Sequence, residues 1–190
     1  TTGDGGMITT NNPEFDQAFR LLRQHGMSVT DTARHGAGKV IIEEYVTTAY
    51  NYRMTDIQAA VGIEQLNRLS GIVDRRREIA EWYADALRQI PWLETLKEPE
   101  YARTNWQSYP VRLNPDAPLT QRELMDHLLS QGVASKPGVM NAHAEAPYRP
   151  QGWRLPESEK ARAQVVLLPF FGSITERELQ KVVDALSSVR

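Results

Sequence analysis

The chain has 190 residues, with 22 lysines and arginines against 24 aspartates and glutamates and no cysteine. That length suits one ordinary domain or two small ones, and 41% apolar content with mixed charge is globular. A net charge of -2 argues against a nucleic-acid partner, and the missing cysteines exclude disulfides, thiolate catalysis and cysteine–metal sites. No apolar run approaches the roughly 18 residues of a membrane span, and no charged-then-apolar leader is present. Neither a span nor a signal peptide is therefore expected, and the reducing cytosol is compatible with this composition.

In chain order, Met7 to Thr10 is a β-favouring run that leaves a glycine-rich turn. Asn12 then caps a helix with Pro13 in its first turn; Phe15, Phe19 and Leu22 recur at helical spacing, and Gly26 ends it. Residues 27–50 are weakly periodic, with Gly36 and Gly38 marking a loop. Thr55 and Gln58 form a capping-box pair, so a helix begins there with Ile57, Ala60, Val61, Ile63 and Leu66 on roughly one side. The pattern restarts beyond Gly71 and stops at Pro91, so 55–90 reads as one long helix or two end to end.

The remainder alternates strands and helices, which predicts a compact α/β or α+β lobe. Trp106 to Leu113 has strand alternation, and Thr120 with Glu123 opens a helix running to Gly132. Val133 to Lys136 reads as a short strand before Pro137. Residues 138–156, rich in proline, glycine and aromatics, read as an ordered functional loop. A short helix near 157–163 precedes the buried strand 165–168, and Thr175 with Glu178 opens the last helix.

Few residue patterns carry chemistry by themselves. Gly3-Asp4-Gly5-Gly6 is either a phosphate cradle or a tight turn; it lacks the lysine and hydroxyl of a P-loop. Asn51 and Arg53 stand just before a helix N-terminus, where an amide and a guanidinium suit a phosphate or carboxylate. The bland alternative is a turn cap and a surface ion pair. His143 lies in a loop with several polar tips, able to meet a sugar hydroxyl or phosphate, or simply solvated. His25, His35 and His127 have no acidic partners at ligand spacing, so no metal site is expected. Arg75-Arg76-Arg77, among Asp74, Glu78 and Glu81, reads first as a solvated helix face and second as a nucleic-acid patch. No Ser-His-Asp set or nucleophile elbow is present.

Several stretches together resemble one family. They are Thr-Thr-Gly-Asp-Gly-Gly at 1–6, Arg-Gln-His-Gly at 23–26 and Asn-Tyr-Arg-Met-Thr-Asp-Ile-Gln-Ala-Ala at 51–60. Gln65-Leu66, the arginines at 75–77, Trp106 with Tyr109, His143 through Tyr148, and Leu168-Pro169 followed by Ile174-Thr175-Glu176 continue the likeness. It is similar to the sugar aminotransferases of the DegT/DnrJ/EryC1/StrS family, which are fold-type I enzymes of pyridoxal 5'-phosphate (PLP).

The resemblance implies the α/β C-terminal half of such an enzyme. Residues 1–60 would be the remainder of the large PLP-binding domain, 61–90 a connecting long helix, and 91–190 the small C-terminal α/β domain. The family's Schiff-base lysine lies just ahead of the position matching Thr1, and none of Lys39, Lys97, Lys136, Lys160 or Lys181 stands in its context. No catalytic residue is therefore expected within the chain, which would be inactive alone. Asn51 matches the asparagine that reaches the PLP phosphate of the neighbouring subunit, which implies a homodimer with a shared active site. Arg53 is expected at an anionic substrate group, and His143 and Tyr148 at the sugar-nucleotide; Asp4 stands where many relatives carry glutamate. The implied reaction moves an amino group from glutamate onto a keto-sugar of a nucleoside diphosphate, for a cytoplasmic amino-sugar pathway. Alternatives are a PLP dehydratase with histidine at the lysine position, a cyclitol aminotransferase, and, from another class, a regulatory or binding fragment. The acidic balance counts against DNA contact by the last.

Overall fold

The computed structural model describes residues 1–29 and 31–189, with the backbone alone for Asp31 and Thr32. The chain forms two compact units, Thr1–Leu69 and Ser70–Arg190. Its elements run α1 (Pro13–Leu22), α2 (Asp31–Gly36), α3 (Asp56–Asn67), α4 (Leu69–Ala86), β1 (Leu93–Thr95), β2 (Tyr109–Leu113), α5 (Gln121–Ser130), β3 (Lys136–Pro137), α6 (Pro156–Gln164), β4 (Val165–Leu168) and α7 (Glu176–Ser187). None of the described helices is long and apolar enough to cross a membrane.

In the first unit, Asn12 Oδ1 accepts from the Glu14 and Phe15 N–H groups at 2.8 and 3.4 Å, and Pro13 occupies the first helical turn of α1. The helix stops at Leu22, earlier than Gly26, because the backbone turns left-handed at His25 and Gly26 (φ 58° and 71°). Thr55 and Gln58 cap α3 reciprocally, as their spacing predicts. Arg68 closes that helix, so the break within 55–90 falls there, and Gly71 lies inside α4. The apolar residues of α3 do not form one stripe. At about 100° per residue, Ile57 and Val61 lie on one side, and Ile63 and Leu66 lie towards the other; all four are exposed. Indeed no apolar side chain of the first unit is buried among the described residues. Met7 to Thr10 forms no strand and has no ladder partner among the described residues, while α2 lies where a loop was expected.

The second unit holds the core. Four antiparallel strands take the order β1-β2-β4-β3, with Leu93 opposite Leu113, Val111 opposite Val166, and Lys136 opposite Leu167. Strand alternation sends Tyr109, Val111, Leu113, Val166 and Leu168 into the interior. There they join Ile79, Tyr83 and Leu87, Leu124 and Leu128 of α5, and Leu179, Val182, Val183 and Leu186 of α7. Capping boxes at Thr120/Glu123 and Thr175/Glu178 start α5 and α7. The second strand begins at Tyr109, later than the alternation from Trp106 suggests, because Trp106 is held at φ 48° and cannot continue a ladder. The third sits at Lys136–Pro137, after the predicted 133–136, and its proline is tolerated because this is the sheet edge. The three-residue β1 was missed for want of a pattern long enough to read.

Tyr109 stacks between Tyr83 (ring centroids 4.9 Å), Trp106 (5.5 Å) and Phe170 (5.9 Å). The Tyr83 hydroxyl donates to the Pro169 carbonyl at 2.9 Å, whereas the buried Tyr109 hydroxyl has no partner among the described residues. Burial pushes both phenols up in pKa. Because an unpaired buried hydroxyl is destabilising, Tyr109→Phe is expected to hold or raise Tm; a clear fall would reveal a partner for that oxygen.

A guanidinium–carboxylate pair fixes the loop between β1 and β2. Arg77 donates two hydrogen bonds to Glu98 (2.8 and 2.9 Å), and the Thr104 N–H donates a third (2.8 Å). These bonds, the Arg77 pair first, hold the Glu98 carboxyl down to about 2 from its ordinary 4.5. The folded pKa is the lower one, so the pair contributes stability above pH about 4.5 and loses it as pH falls towards 2. The Tm gap between wild type and Glu98→Gln should therefore be widest near neutrality and close in acid. A gap independent of pH would overturn this.

Candidate active site

The Asn51 segment is built by backbone pairing within the first unit. Tyr50 N–H donates to Leu22 O, His25 N–H to Tyr50 O, Tyr52 N–H to Arg23 O and Val46 N–H to Gly26 O, each at 2.9 Å. Gln24 and Asn51 form an antiparallel bridge. The turn after α1 thus sets the backbone of residues 44–52. The Tyr50 and Tyr52 rings stack at 4.8 Å and 4° on one face of this extended segment. By alternation, Asn51 and Arg53 belong to the other face. Asn51 is exposed, and its side-chain amide makes no hydrogen bond among the described residues. Two residues beyond Arg53, Thr55 Oγ1 accepts from the Gln58 N–H at 3.3 Å and starts α3.

The glycine run lies against the same helix. Gln58 Nε2 donates to Asp4 O at 3.0 Å, and a Cβ at Gly62 would lie 3.3 Å from Thr2 Cγ2. Thr1 and Thr2 hydroxyls donate to Gly3 O and Asp4 O at 3.1 and 2.8 Å, so the run closes on itself as a turn. Gly5, at φ 146°, leaves no room for a Cβ, which would approach Thr2 Oγ1 to 2.8 Å.

His143 and Tyr148 come together in the second unit, at a cleft of about 410 Å³ that also takes in Met140, Gln151, Trp153 and Leu155. Two short 3₁₀ turns, Ala142–Ala144 and Arg149–Gln151, shape it, and Gly152 at φ 70° releases the chain into α6. The His143 side chain is only 10% exposed, and its Nε2 lies 3.0 Å from Glu159 Oε1. The same oxygen accepts from the Leu155 N–H at 3.1 Å. The Leu155 N–H first, and His143 second, hold the Glu159 carboxyl below its ordinary pKa. The carboxylate therefore ties the His143 loop to the start of α6, and Nδ1 is the ring nitrogen left for a ligand. Glu159, Gln151 and Trp153 were not singled out from sequence. For Glu159 the available signal was an acid in the first turn of a proline-started helix.

Asn51 and Arg53 are neighbours in one unit, and His143 and Tyr148 share a cleft in the other. Among the described residues no three histidine or acidic side chains stand close enough to hold a metal ion.

The family model of the DegT/DnrJ/EryC1/StrS aminotransferases matches residues 1–187. An uncharacterised protein of Methanocaldococcus jannaschii is 29% identical over all of this chain and 50% of its own length. The aminotransferase TlmJ of Streptoalloteichus hindustanus superposes with a TM-score of 0.81 at 26% identity, over 97% of this chain and 47% of its own. Spr1654 of Streptococcus pneumoniae, in its PLP form, gives 0.80 at 20% identity, over 97% and 45%. The chain spans about half the length of the relatives it matches, and its α/β fold is that of part of a fold-type I aminotransferase. It belongs to the DegT/DnrJ/EryC1/StrS aminotransferase family.

Proposed function

We propose that this chain is the C-terminal part of a cytoplasmic, homodimeric PLP enzyme that moves an amino group from glutamate onto the keto-sugar of a nucleoside-diphosphate sugar. The family match across residues 1–187 carries the reading. In it, residues 1–60 complete the large domain, 61–90 connect, 91–190 form the small domain, and the PLP-bearing lysine belongs to the portion outside these residues.

The residues present fit the cofactor's phosphate. Asn51 offers an exposed amide with no partner among the described residues, just ahead of a capped helix. When bound, PLP supplies an electron sink for negative charge at the carbon that carries the amino group. Asn51 would donate an N–H to the phosphate held by the neighbouring subunit, and Arg53 would pair with an anionic group of the substrate. His143, oriented through Nε2 by Glu159, would present Nδ1 to the sugar-nucleotide, and Tyr148 lines the same cleft.

The test is 2-oxoglutarate release from glutamate by the complete, PLP-loaded enzyme, dependent on a nucleoside-diphosphate keto-sugar. No release with any such sugar, despite bound PLP, would sink the reading. His143→Ala is expected to raise the KM for the sugar-nucleotide by about 5- to 100-fold, the range for a lost hydrogen bond at a binding site. A matching loss in the glutamate half-reaction would remove His143 from that role.

A further inference from the structure

Among the described residues of Thr1–Leu69 a single side chain is buried, and it is polar: Gln24, 8% exposed. Its Nε2 is shut off from solvent and has no hydrogen-bond partner among the described residues. A buried amide donor left unpaired is destabilising, so this group calls for an acceptor. Packing does not account for it, because a methionine would fill similar space without an orphaned donor.

Gln24 also stands directly opposite Asn51, with which it forms an antiparallel bridge. The flanking bonds, His25 N–H to Tyr50 O and Tyr52 N–H to Arg23 O, make this a non-hydrogen-bonded pair. In such a pair the Cα atoms approach to about 4.5 Å and the two side chains leave from the same face. Gln24 is thus the buried member of a close pair whose exposed member is Asn51.

The Asn51 amide has two ends of similar size and opposite character. A phosphate oxygen accepts, so the –NH₂ must face it and Oδ1 must face away. Among the described residues nothing donates to Oδ1, so the amide is not held in that sense. Gln24 Nε2 is a donor at the facing position. Its last torsion is broad, so the amide turns at little cost.

We propose that Gln24 is a positioning residue for the cofactor phosphate: its Nε2 donates to Asn51 Oδ1 and so turns the Asn51 –NH₂ outward. The bond gives the buried donor the acceptor it lacks, and it polarises the Asn51 amide into a stronger donor. The inference rests on the reading of Asn51 as a phosphate ligand and adds the residue that orients it.

The test is the PLP dissociation constant of the complete enzyme, with Tm and amide exchange read on the same variants. Gln24→Met keeps the length of the side chain and removes the donor. It should raise the Kd for PLP about 2- to 12-fold, as for one ordinary hydrogen bond. It should hold or raise the Tm of the PLP-free enzyme, because it removes an unpaired buried group. Exchange at the Tyr50 and Tyr52 amides should not change. In an Asn51→Lys background the ammonium offers three equivalent donors and has no accepting end; there Gln24→Met should leave the Kd as it was.

The proposal is overturned if Gln24→Met alone leaves the Kd for PLP unchanged. It is also overturned if that variant lowers Tm, quickens exchange at Tyr50 and Tyr52, or weakens PLP equally in the Asn51→Lys background. Any of these would make Gln24 a support of the backbone pairing and not an orienter of the amide. Its failure is separable from failure of the parent reading. Unchanged PLP affinity in Asn51→Ala removes Asn51 from the phosphate, whereas a loss in Asn51→Ala with none in Gln24→Met refutes the positioning role alone.

Discussion

Tyr83→Ala is expected to cost the Ser70–Arg190 unit about 3–5 kcal/mol, the range for truncating a large buried aromatic. The side chain is fully buried in the middle of the core, stacked on Tyr109 and edge-on to Trp82. Its loss would open a cavity between α4 and β2 and leave the Pro169 carbonyl without the 2.9 Å bond it now accepts. Tyr83→Phe keeps the ring and removes only that bond, so it should cost about 1–2 kcal/mol. Urea unfolding followed by tryptophan fluorescence separates the two. Equal losses for both variants would mean that the hydroxyl, and not the ring, matters at this position.

The second large effect concerns Gly26. Its φ of 71° and the Thr47 carbonyl, which a Cβ would strike, together exclude a side chain. Gly26→Ala should therefore strain or release the pairing of residues 22–28 with 44–52, at about 1–3 kcal/mol for a residue forced into a disfavoured conformation. Because that pairing carries Asn51, the variant is expected to weaken PLP retention without touching the cofactor. Asn51→Ala should do so directly, by about 1–3 kcal/mol for one hydrogen bond to a charged group. The complete enzyme's PLP dissociation constant measures both, and amide exchange at Val46 and Tyr50 should quicken in Gly26→Ala alone. An unchanged PLP affinity in Asn51→Ala would remove that residue from the phosphate.

Helix starts were the most legible feature. Asn12, Thr55, Thr120 and Thr175 each mark a helix through bonds made within three residues, so a local pattern suffices to find them. The strand at 165–168 was equally plain from its apolar run. What escaped depends on distant partners. The edge pairing of Lys136 and Pro137 is fixed by β4, some thirty residues on. The late start of β2 reflects a backbone angle at Trp106 that no side-chain pattern encodes.

The site shows the same division. Asn51, Arg53 and His143 were candidates from residue type and position, and the resemblance gave each a ligand and added Tyr148, while Glu159, which orients His143 across sixteen residues, required the fold. Gln151 and Trp153 lay inside a loop already read as functional, but nothing in their spacing showed that one would fix the other.

The absence of any buried apolar side chain among the described residues of Thr1–Leu69 has a thermodynamic consequence. A helix such as α3, with apolar side chains on more than one side, is stable when covered on several sides. Its order is then coupled to whatever surface covers it. The two units should therefore respond differently: the sheet and its helices resist heat and urea through their own core, whereas α1, α3 and the loop that presents Asn51 have exposed apolar side chains and no core of their own among the described residues.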